Sequence, residues 1–339
     1  MPGGGSADGG GMRPEDPKAL RISLVMPVKN EARRIETALA AVRDQTLRPI
    51  EVLVVDGHSL DGTVDLARAH GARVFFEEFG TRAGACEVGV RNAVGELVAF
   101  TDADCVPAPD WLETLASNLQ AGVVGVGGRI VSEGDTFWQQ AVDAALDTIL
   151  GSANSVQGRM FRAKRFVSSI SGSNSLYRRR DVVEVGGFRT DLVTTEDTEL
   201  NRRLLARGKL LYVPEAVIRH RHERGLRDFA RRIFQYGFGR GQSLLPGAPL
   251  VLPVATVAVV LLAVLQPWAA AAVGAAYAAV VLASATSAAV RRRRASLLLS
   301  VPVIYLIEHA SYVAGFWVGL VGSRRSRSRK PSVAEESSP

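Results

Sequence analysis

The chain has 339 residues, 47% of them hydrophobic and 22% charged, with a formal net charge of +7 and two cysteines. That apolar content excludes a disordered polyelectrolyte, and two cysteines exclude a disulfide-stapled scaffold. The length suits two folded domains, or one domain with a membrane part.

Residues 1–19 are rich in Gly and Pro with scattered charge and are expected to be disordered. They lack the apolar core of a signal peptide, so the first 240 residues are expected in the cytoplasm, where Cys86 and Cys105 stay reduced. From there the pattern alternates. RISLVMP (21–27) reads as a strand, EARRIETALAAVRDQ (31–45) as an amphipathic helix and PIEVLVVD (49–56) as a second strand. GTVDLARAHG (62–71) is a helix closed by Gly71, ARVFFE (72–77) a strand, AGACEVGVRNAVG (83–95) a helix and ELVAFTD (96–102) a strand. Short, continuous apolar strands separated by helices imply an α/β fold with a parallel sheet covered on both faces.

In such sheets ligands bind beyond the carboxyl ends of the strands. Three strand ends here carry polar groups: Lys29-Asn30-Glu31, Asp56, and Asp102 with Asp104 in VAFTDADCVP (98–107). The last pair has two readings. It is a solvated turn, since Pro107 and Pro109 follow at once, or a cation site, since paired hard oxygens suit Mg²⁺ or Mn²⁺ beside a bound phosphate. Converging on one sheet edge, these groups read as a nucleotide site. The Gly-rich dinucleotide turn and the Walker pattern are both missing, the first strand running into Pro27-Val28-Lys29-Asn30. Side chains would then hold the base and ribose, with a metal neutralising the diphosphate.

Further along, the stretch 151–171 is polar and basic, either a loop that orders over substrate or a surface connection. Glu196-Asp197 opens a helix, with Thr194 or Thr195 as its N-cap; acidic residues favour that first turn whatever else they do. After a strand over 210–220, His220 and His222 flank Arg221, either near a metal or as polar residues of a basic, lipid-facing segment.

Between Arg240 and Arg291 there is no charged residue. Roughly 50 helical residues would span about 75 Å, more than twice a ~30 Å hydrocarbon core. Residues 241–290 are therefore expected to form a two-span hairpin turning at Gln266-Pro267-Trp268. Arginines before it and Arg291 to Arg294 after it place both ends in the cytoplasm, making the protein a multi-pass inner-membrane protein. A third apolar stretch, 296–322, carries only Glu308 and His309. Because the basic tail over 323–339 also prefers the inside, that stretch is expected to dip in or re-enter. The positive charge lies beside apolar segments, so it suits anionic lipid rather than nucleic acid.

VMPVKNEA (25–32), VLVVDGHSLDGT (52–63), FTDADC (100–105), SGSNSLYRRRDVVEVGGF (171–188) and TTEDTELNRRLLARG (194–208) stand in the order and spacing of family 2 glycosyltransferases. These are inverting enzymes of GT-A fold. The resemblance covers about residues 22–236, and with HRHERGLRDFARRIFQYGFGRG (220–241) and the apolar tail it is most similar to the succinoglycan-type exopolysaccharide glucosyltransferase branch.

The resemblance implies a GT-A domain over 20–240 and a membrane region over 241–322. It implies a nucleotide-sugar donor, a UDP-sugar first, with Mn²⁺ or Mg²⁺, and a lipid-linked or polysaccharide-precursor acceptor. Position by position, Pro27, Asn30 and Glu31 would border the nucleotide, Asp56 would bond the base, and Arg82 would join the nucleotide site. Asp102 would meet the ribose and flank the metal, Asp104 would hold the metal, and His222 would complete its shell. Asp197, beside Glu196, would be the catalytic base, and Gly172 to Asn174 would line the sugar and acceptor pocket. Three positions depart from the pattern: Gly57 where a second Asp is frequent, His58 where Gly is usual, and Glu87 where Asn is common. Two other readings compete: a catalytically silent membrane scaffold, against which the intact carboxylates argue, and a nucleotidyltransferase, which normally needs a Gly-rich triphosphate loop.

Overall fold

The structure, a computed structural model, describes residues 20–134, 136–152, 161–221, 225–245 and 248–328. The N-terminal segment 1–19, the middle of the expected substrate loop, His222 and the end of the basic tail lie outside the described residues.

The first half follows the alternation read from the sequence: β1 (Ile22–Val28), α1 (Ile35–Arg43), β2 (Glu51–Asp56), α2 (Thr63–Ala69), β3 (Arg73–Phe76), α3 (Arg82–Asn92) and β4 (Leu97–Phe100). Then come β5 (Cys105–Pro107), α4 (Trp111–Ser117), β6 (Val123–Glu133), α5 (Phe137–Leu146), α6 (Ile149–Ser152), β7 (Arg165–Val167), β8 (Ser175–Arg178), α7 (Arg179–Glu184), α8 (Glu196–Leu204) and β9 (Lys209–Arg221). One nine-stranded sheet runs β3-β2-β1-β4-β8-β6-β9-β5, with β7 also on β9. The β3-β2-β1-β4 half is parallel, as continuous apolar strands such as the fully buried β1 demand. The second half mixes directions, β8 lying antiparallel to both β4 and β6. Two apolar layers cover the sheet: α1 and α4, the latter with Trp111, on Leu24 and Met26, and α3 and α8, the latter with Leu200, on Val25 and Phe100.

Registry sets the site. Val28 lies opposite Asp56 and Val25 opposite Phe100, so the chain leaves β1, β2 and β4 at one edge. Cys105 lies opposite His220 across the antiparallel β5–β9 pair, which brings the far end of β9 to the same place.

After β9 the chain is helical: α9 (Leu226–Ser243), α10 (Val251–Leu265), α11 (Pro267–Arg292) and α12 (Leu297–Ser328). The break falls at Gln266-Pro267, because proline suits the first turn of α11 but would interrupt a continuous helix. The division differs from an even hairpin. Residues up to Ser243 complete α9, leaving α10 with 15 residues, about 22 Å and short of a ~30 Å core. The helices long and apolar enough to cross a membrane are, among the described residues, Pro267–Arg292 and Leu297–Gly322. The segment expected to dip and return is one continuous helix with Pro302 near its start. Its first half packs on α5 through Leu297, Val301, Ile304 and Tyr305.

Its second half packs on α9 more closely than side chains would allow. A Cβ on Gly237 would lie 2.1 Å from the Tyr312 carbonyl, and one on Gly241 2.1 Å from that of Phe316. Reciprocally, a Cβ on Gly315 would lie 2.0 Å from the Phe234 carbonyl, and one on Gly319 2.1 Å from that of Phe238. Each glycine in a helix costs about 1 kcal/mol relative to alanine, so backbone contact along this seam has to offset several.

Candidate active site

The three strand ends are tied together before any ligand is considered. Asn30 takes a left-handed φ of 56°, its N–H donates to Ser59 Oγ (2.7 Å), and its Oδ1 accepts from Leu60 N (2.8 Å). Ser59 in turn donates twice to the fully buried Asp56, from N (2.7 Å) and Oγ (2.5 Å). Glu31 N donates to Thr63 Oγ1, and its carboxylate pairs with Arg34 at 2.6 Å. Pro27 lies within buried β1 opposite Val55, one residue below the edge.

Asp104 is the centre of the next cluster. Its Oδ2 lies 3.1 Å from His220 Nε2 and 3.9 Å from the Arg232 guanidinium of α9. Burial opposes ionisation here, but the hydrogen bond and charge of His220, with Arg232 and Arg34 behind it, hold the carboxyl well below the usual range. Asp104, Cys105 and His220 offer ligand atoms within 4.8 Å of one another. The carboxylate fits Mn²⁺ or Mg²⁺, and an imidazole beside it favours a transition metal, hence Mn²⁺ of the two. Cys105 fits less well, since burial pushes its thiol far up and keeps it protonated. The histidine beside the carboxylate is thus His220, placed there by β-registry; His222 lies outside the described residues.

Arg82, the first residue of α3, joins two parts of the chain. Its guanidinium meets Asp102 at 2.6 Å and Glu196 at 2.5 Å, and reaches the Gly172 carbonyl at 3.3 Å. Glu196 is 5% exposed; burial raises its pKa, Arg82 opposes that rise, and the neighbouring Asp197 charge adds to it. Asp197 accepts from Gly172 N (2.9 Å) through Oδ2 and from Thr198 N (2.6 Å) through Oδ1. Gly172 is tightly enclosed, a Cβ there lying 3.1 Å from Arg82 Nη1 and 3.3 Å from Asp197 Cβ.

The helix start differs from the expected cap. Thr195 is the residue before α8, but its φ is 65° and its side chain makes no capping bond. Thr194 Oγ1 donates instead to Gln235 O of α9 at 2.9 Å. A left-handed β-branched residue is a strained one, and here it precedes the acidic pair directly.

Asn174 is a correction. It is fully buried: Nδ2 donates to the Arg129 and Ala216 carbonyls at 2.9 and 3.1 Å, and Oδ1 accepts from Trp111 Nε1 at 2.8 Å. Both its amide hydrogens and its oxygen serve β6, β9 and α4, so it knits the sheet instead of lining a pocket. Glu87, one of the departures, is also accounted for: it accepts from Phe188 N (2.8 Å) and Arg91 (2.8 Å), anchoring the 186–188 glycine turn away from the nucleotide edge. His58 stacks on Phe76, centroids 5.8 Å apart and 17° off parallel.

Two residues had only a diffuse signal in the sequence. Arg232 and Tyr236 stand one helical turn apart in a basic stretch that reads equally well as a lipid anchor. In the structure Arg232 faces Asp104, 3.9 Å away, while Tyr236, one turn on, is 44% exposed.

Residues 23–186 match the family described as Glycosyl transferase family 2. Glycosyltransferase AglE of Haloferax volcanii is 31% identical over 232 residues, which cover 65% of this chain and 73% of that one. Succinoglycan biosynthesis protein ExoA of Rhizobium meliloti is 26% identical over 323 residues, 89% of this chain and 96% of its own. Among solved structures, mannosyltransferase PcManGT from Pyrobaculum calidifontis, in complex with GDP-Man and Mn²⁺, aligns with a TM-score of 0.57 over 86% of this chain and 88% of that one. At 22% identity that likeness is one of fold.

Proposed function

The chain belongs to glycosyl transferase family 2, and on that premise we propose a membrane-attached, inverting enzyme. It moves a hexosyl group from a nucleoside diphosphate sugar, a UDP-sugar first, to a lipid-linked or polysaccharide-precursor acceptor. The observation that carries the reading is the bridge at Arg82. One guanidinium ties Asp102, at the end of β4, to Glu196, and Gly172 ties the same guanidinium to Asp197. Two acidic pairs almost a hundred residues apart thereby form one cluster, with the β1 and β2 ends on the same sheet edge.

The roles follow from position. The nucleotide lies along Asn30, Glu31, Asp56 and Asp102. Asp104 and His220 would hold the divalent cation, and Asp102 would flank it. That cation, Mn²⁺ or Mg²⁺, would supply positive charge to the leaving diphosphate. Asp197 takes the proton of the acceptor hydroxyl as its oxygen bonds to the anomeric carbon. The bond from that carbon to the diphosphate breaks on the opposite face, so configuration inverts. Asp197 suits this task because Gly172 N and Thr198 N fix its carboxylate in place. Glu196 and Arg82 set the shape of the cluster.

Membrane attachment is supported by α11 and by the exposed apolar residues of α10, such as Val260, Val264 and Leu265. The Arg cluster closing α11 touches the catalytic unit: Arg292 pairs with Asp147 and Arg294 with Gln140. These contacts support a catalytic domain and basic cluster on one side, the cytoplasm by the positive-inside bias. The relative ExoA, which matches along both the catalytic and the helical parts, favours an exopolysaccharide precursor as acceptor. The test is a panel of UDP-, GDP- and dTDP-sugars offered with Mn²⁺ to the detergent-purified full chain, following nucleoside diphosphate release and product anomer. Release from one donor class with an inverted product is expected; retention of configuration, or no release from any donor with or without lipid extract, contradicts the proposal.

A further inference from the structure

Helix α9 has two working faces. Phe234, Gly237, Phe238 and Gly241 form the face pressed against α12, where Gly315 and Gly319 receive it backbone to backbone. Arg232, Tyr236 and Gly239 follow one another at i, i+4 and i+7, on the opposite face. That second face meets the site at two levels. Arg232 lies 3.9 Å from Asp104. A Cβ on Gly239 would stand 2.1 Å from Thr194 Oγ1 and 2.8 Å from its carbonyl oxygen. Gly237, Gly239 and Gly241 are all buried, as alternate residues of a helix can be only when both faces are covered.

We propose that α9 is a positioning strut: gripped by α12 on one face, it fixes the Thr194–Asp197 segment on the other, with Gly239 and Thr194 as the positioning residues. The proposal rests on the reading of Asp197 as base. Thr194 is seated from two sides, by the missing Cβ of Gly239 and by its own bond to Gln235 O at 2.9 Å. The next residue, Thr195, takes its left-handed φ of 65° without a capping bond to hold it there. Something outside the segment must hold that turn: Arg82 and Gly172 hold its far end at Glu196 and Asp197, and α9 holds its near end at Thr194. Asp197 follows two residues later. It bonds to Gly172 N, so a displacement of a few tenths of an ångström at Thr194 is passed on to the carboxylate. In this reading α12 belongs to the catalytic apparatus as well as to the membrane part.

The test uses the full-length chain in detergent with its best donor sugar, measuring kcat, donor KM and equilibrium nucleotide binding. Gly239→Ala is expected to lower kcat about tenfold or more while donor KM and nucleotide binding stay within about twofold. Thr194→Val, which keeps the shape but removes the hydroxyl donor, is expected to lower kcat several-fold, and Thr194→Ser to restore it. Gly315→Ala, remote from every substrate group, is expected to act like Gly239→Ala and to leave the protein in the membrane fraction. Normal kcat in Gly239→Ala and Thr194→Val overturns the strut, as does an equal loss of nucleotide binding. If Gly239→Ala does not fold, Thr194→Val against Thr194→Ser decides alone. Asp197→Asn, run alongside, separates the two claims: inactive with a normal Gly239→Ala, it leaves the base in place and removes the strut; fully active, it removes the base reading itself.

Discussion

Replacing Arg82 by methionine removes a cation that faces both Asp102 and Glu196, and the consequence depends on pH. Glu196 is buried and its carboxylate would be left without its counter-charge; breaking a buried pair in this way typically costs about 3–5 kcal/mol. Protonation caps that cost. At pH 7 the solution lies two and a half pH units above the ordinary Glu value of 4.5, so holding Glu196 neutral takes about 3.4 kcal/mol. At pH 5 it takes about 0.7 kcal/mol. Asp102, with 28% of its side chain exposed, is screened by water and adds at most about 1 kcal/mol. The sign follows from linkage. Burial already places the folded pKa of Glu196 above its unfolded value, and loss of Arg82 raises it further. The folded variant binds a proton that the unfolded chain does not, so its stability holds below about 4.5 and falls as pH climbs towards the folded pKa. Arg82→Met should therefore be destabilised by about 3 kcal/mol at pH 7 but only about 1 kcal/mol at pH 5. Thermal melts of wild type and variant in detergent and EDTA at the two pH values would show it. An equal loss at both would refute the claim that a buried, charged Glu196 depends on Arg82.

Other outcomes are equally specific. Asp104→Ala should abolish turnover and strip nucleotide binding of its Mn²⁺ dependence, while Asp102→Ala should chiefly weaken nucleotide affinity; titration calorimetry with and without EDTA separates them. Asn174→Ala should cost about 3 kcal/mol of stability, because it orphans Trp111 Nε1 and two carbonyls; donor KM of the folded fraction should not change, and a raised KM would return Asn174 to the pocket. The full chain should resist alkaline carbonate extraction, and recovery in the soluble fraction would remove the membrane attachment.

Elements whose cause is local were legible in the sequence. β1, β2 and β4 are continuous apolar runs, and their polar exits announced the sheet edge at which Asp56 and Asp104 lie. The sequence was silent where the cause is a contact between distant segments. His220 meets Asp104 because β5 pairs with β9 across more than a hundred residues, and no spacing rule chooses it over His222. Asn174 sits in a glycine- and serine-rich run that reads as a ligand loop, yet the carbonyls of Arg129 and Ala216 and the Trp111 indole claim its amide. Thr194 and Thr195 look like caps by composition, but α9 takes the hydroxyl of the first. The glycines of α9 and α12 are unremarkable singly; their meaning lies in the four-residue spacing shared by Gly237 with Gly241 and Gly315 with Gly319, which only the helix crossing brings together.

The most direct test of the account is turnover by purified Asp197→Asn set against its donor binding. The substitution keeps the shape and one oxygen, enough for one of the two donors Gly172 N and Thr198 N, but cannot accept the acceptor's proton at neutral pH. The account predicts nucleotide-sugar affinity within about twofold of wild type and a turnover lower by roughly two to four orders of magnitude. Turnover close to wild type, with contaminating activity excluded, would contradict it.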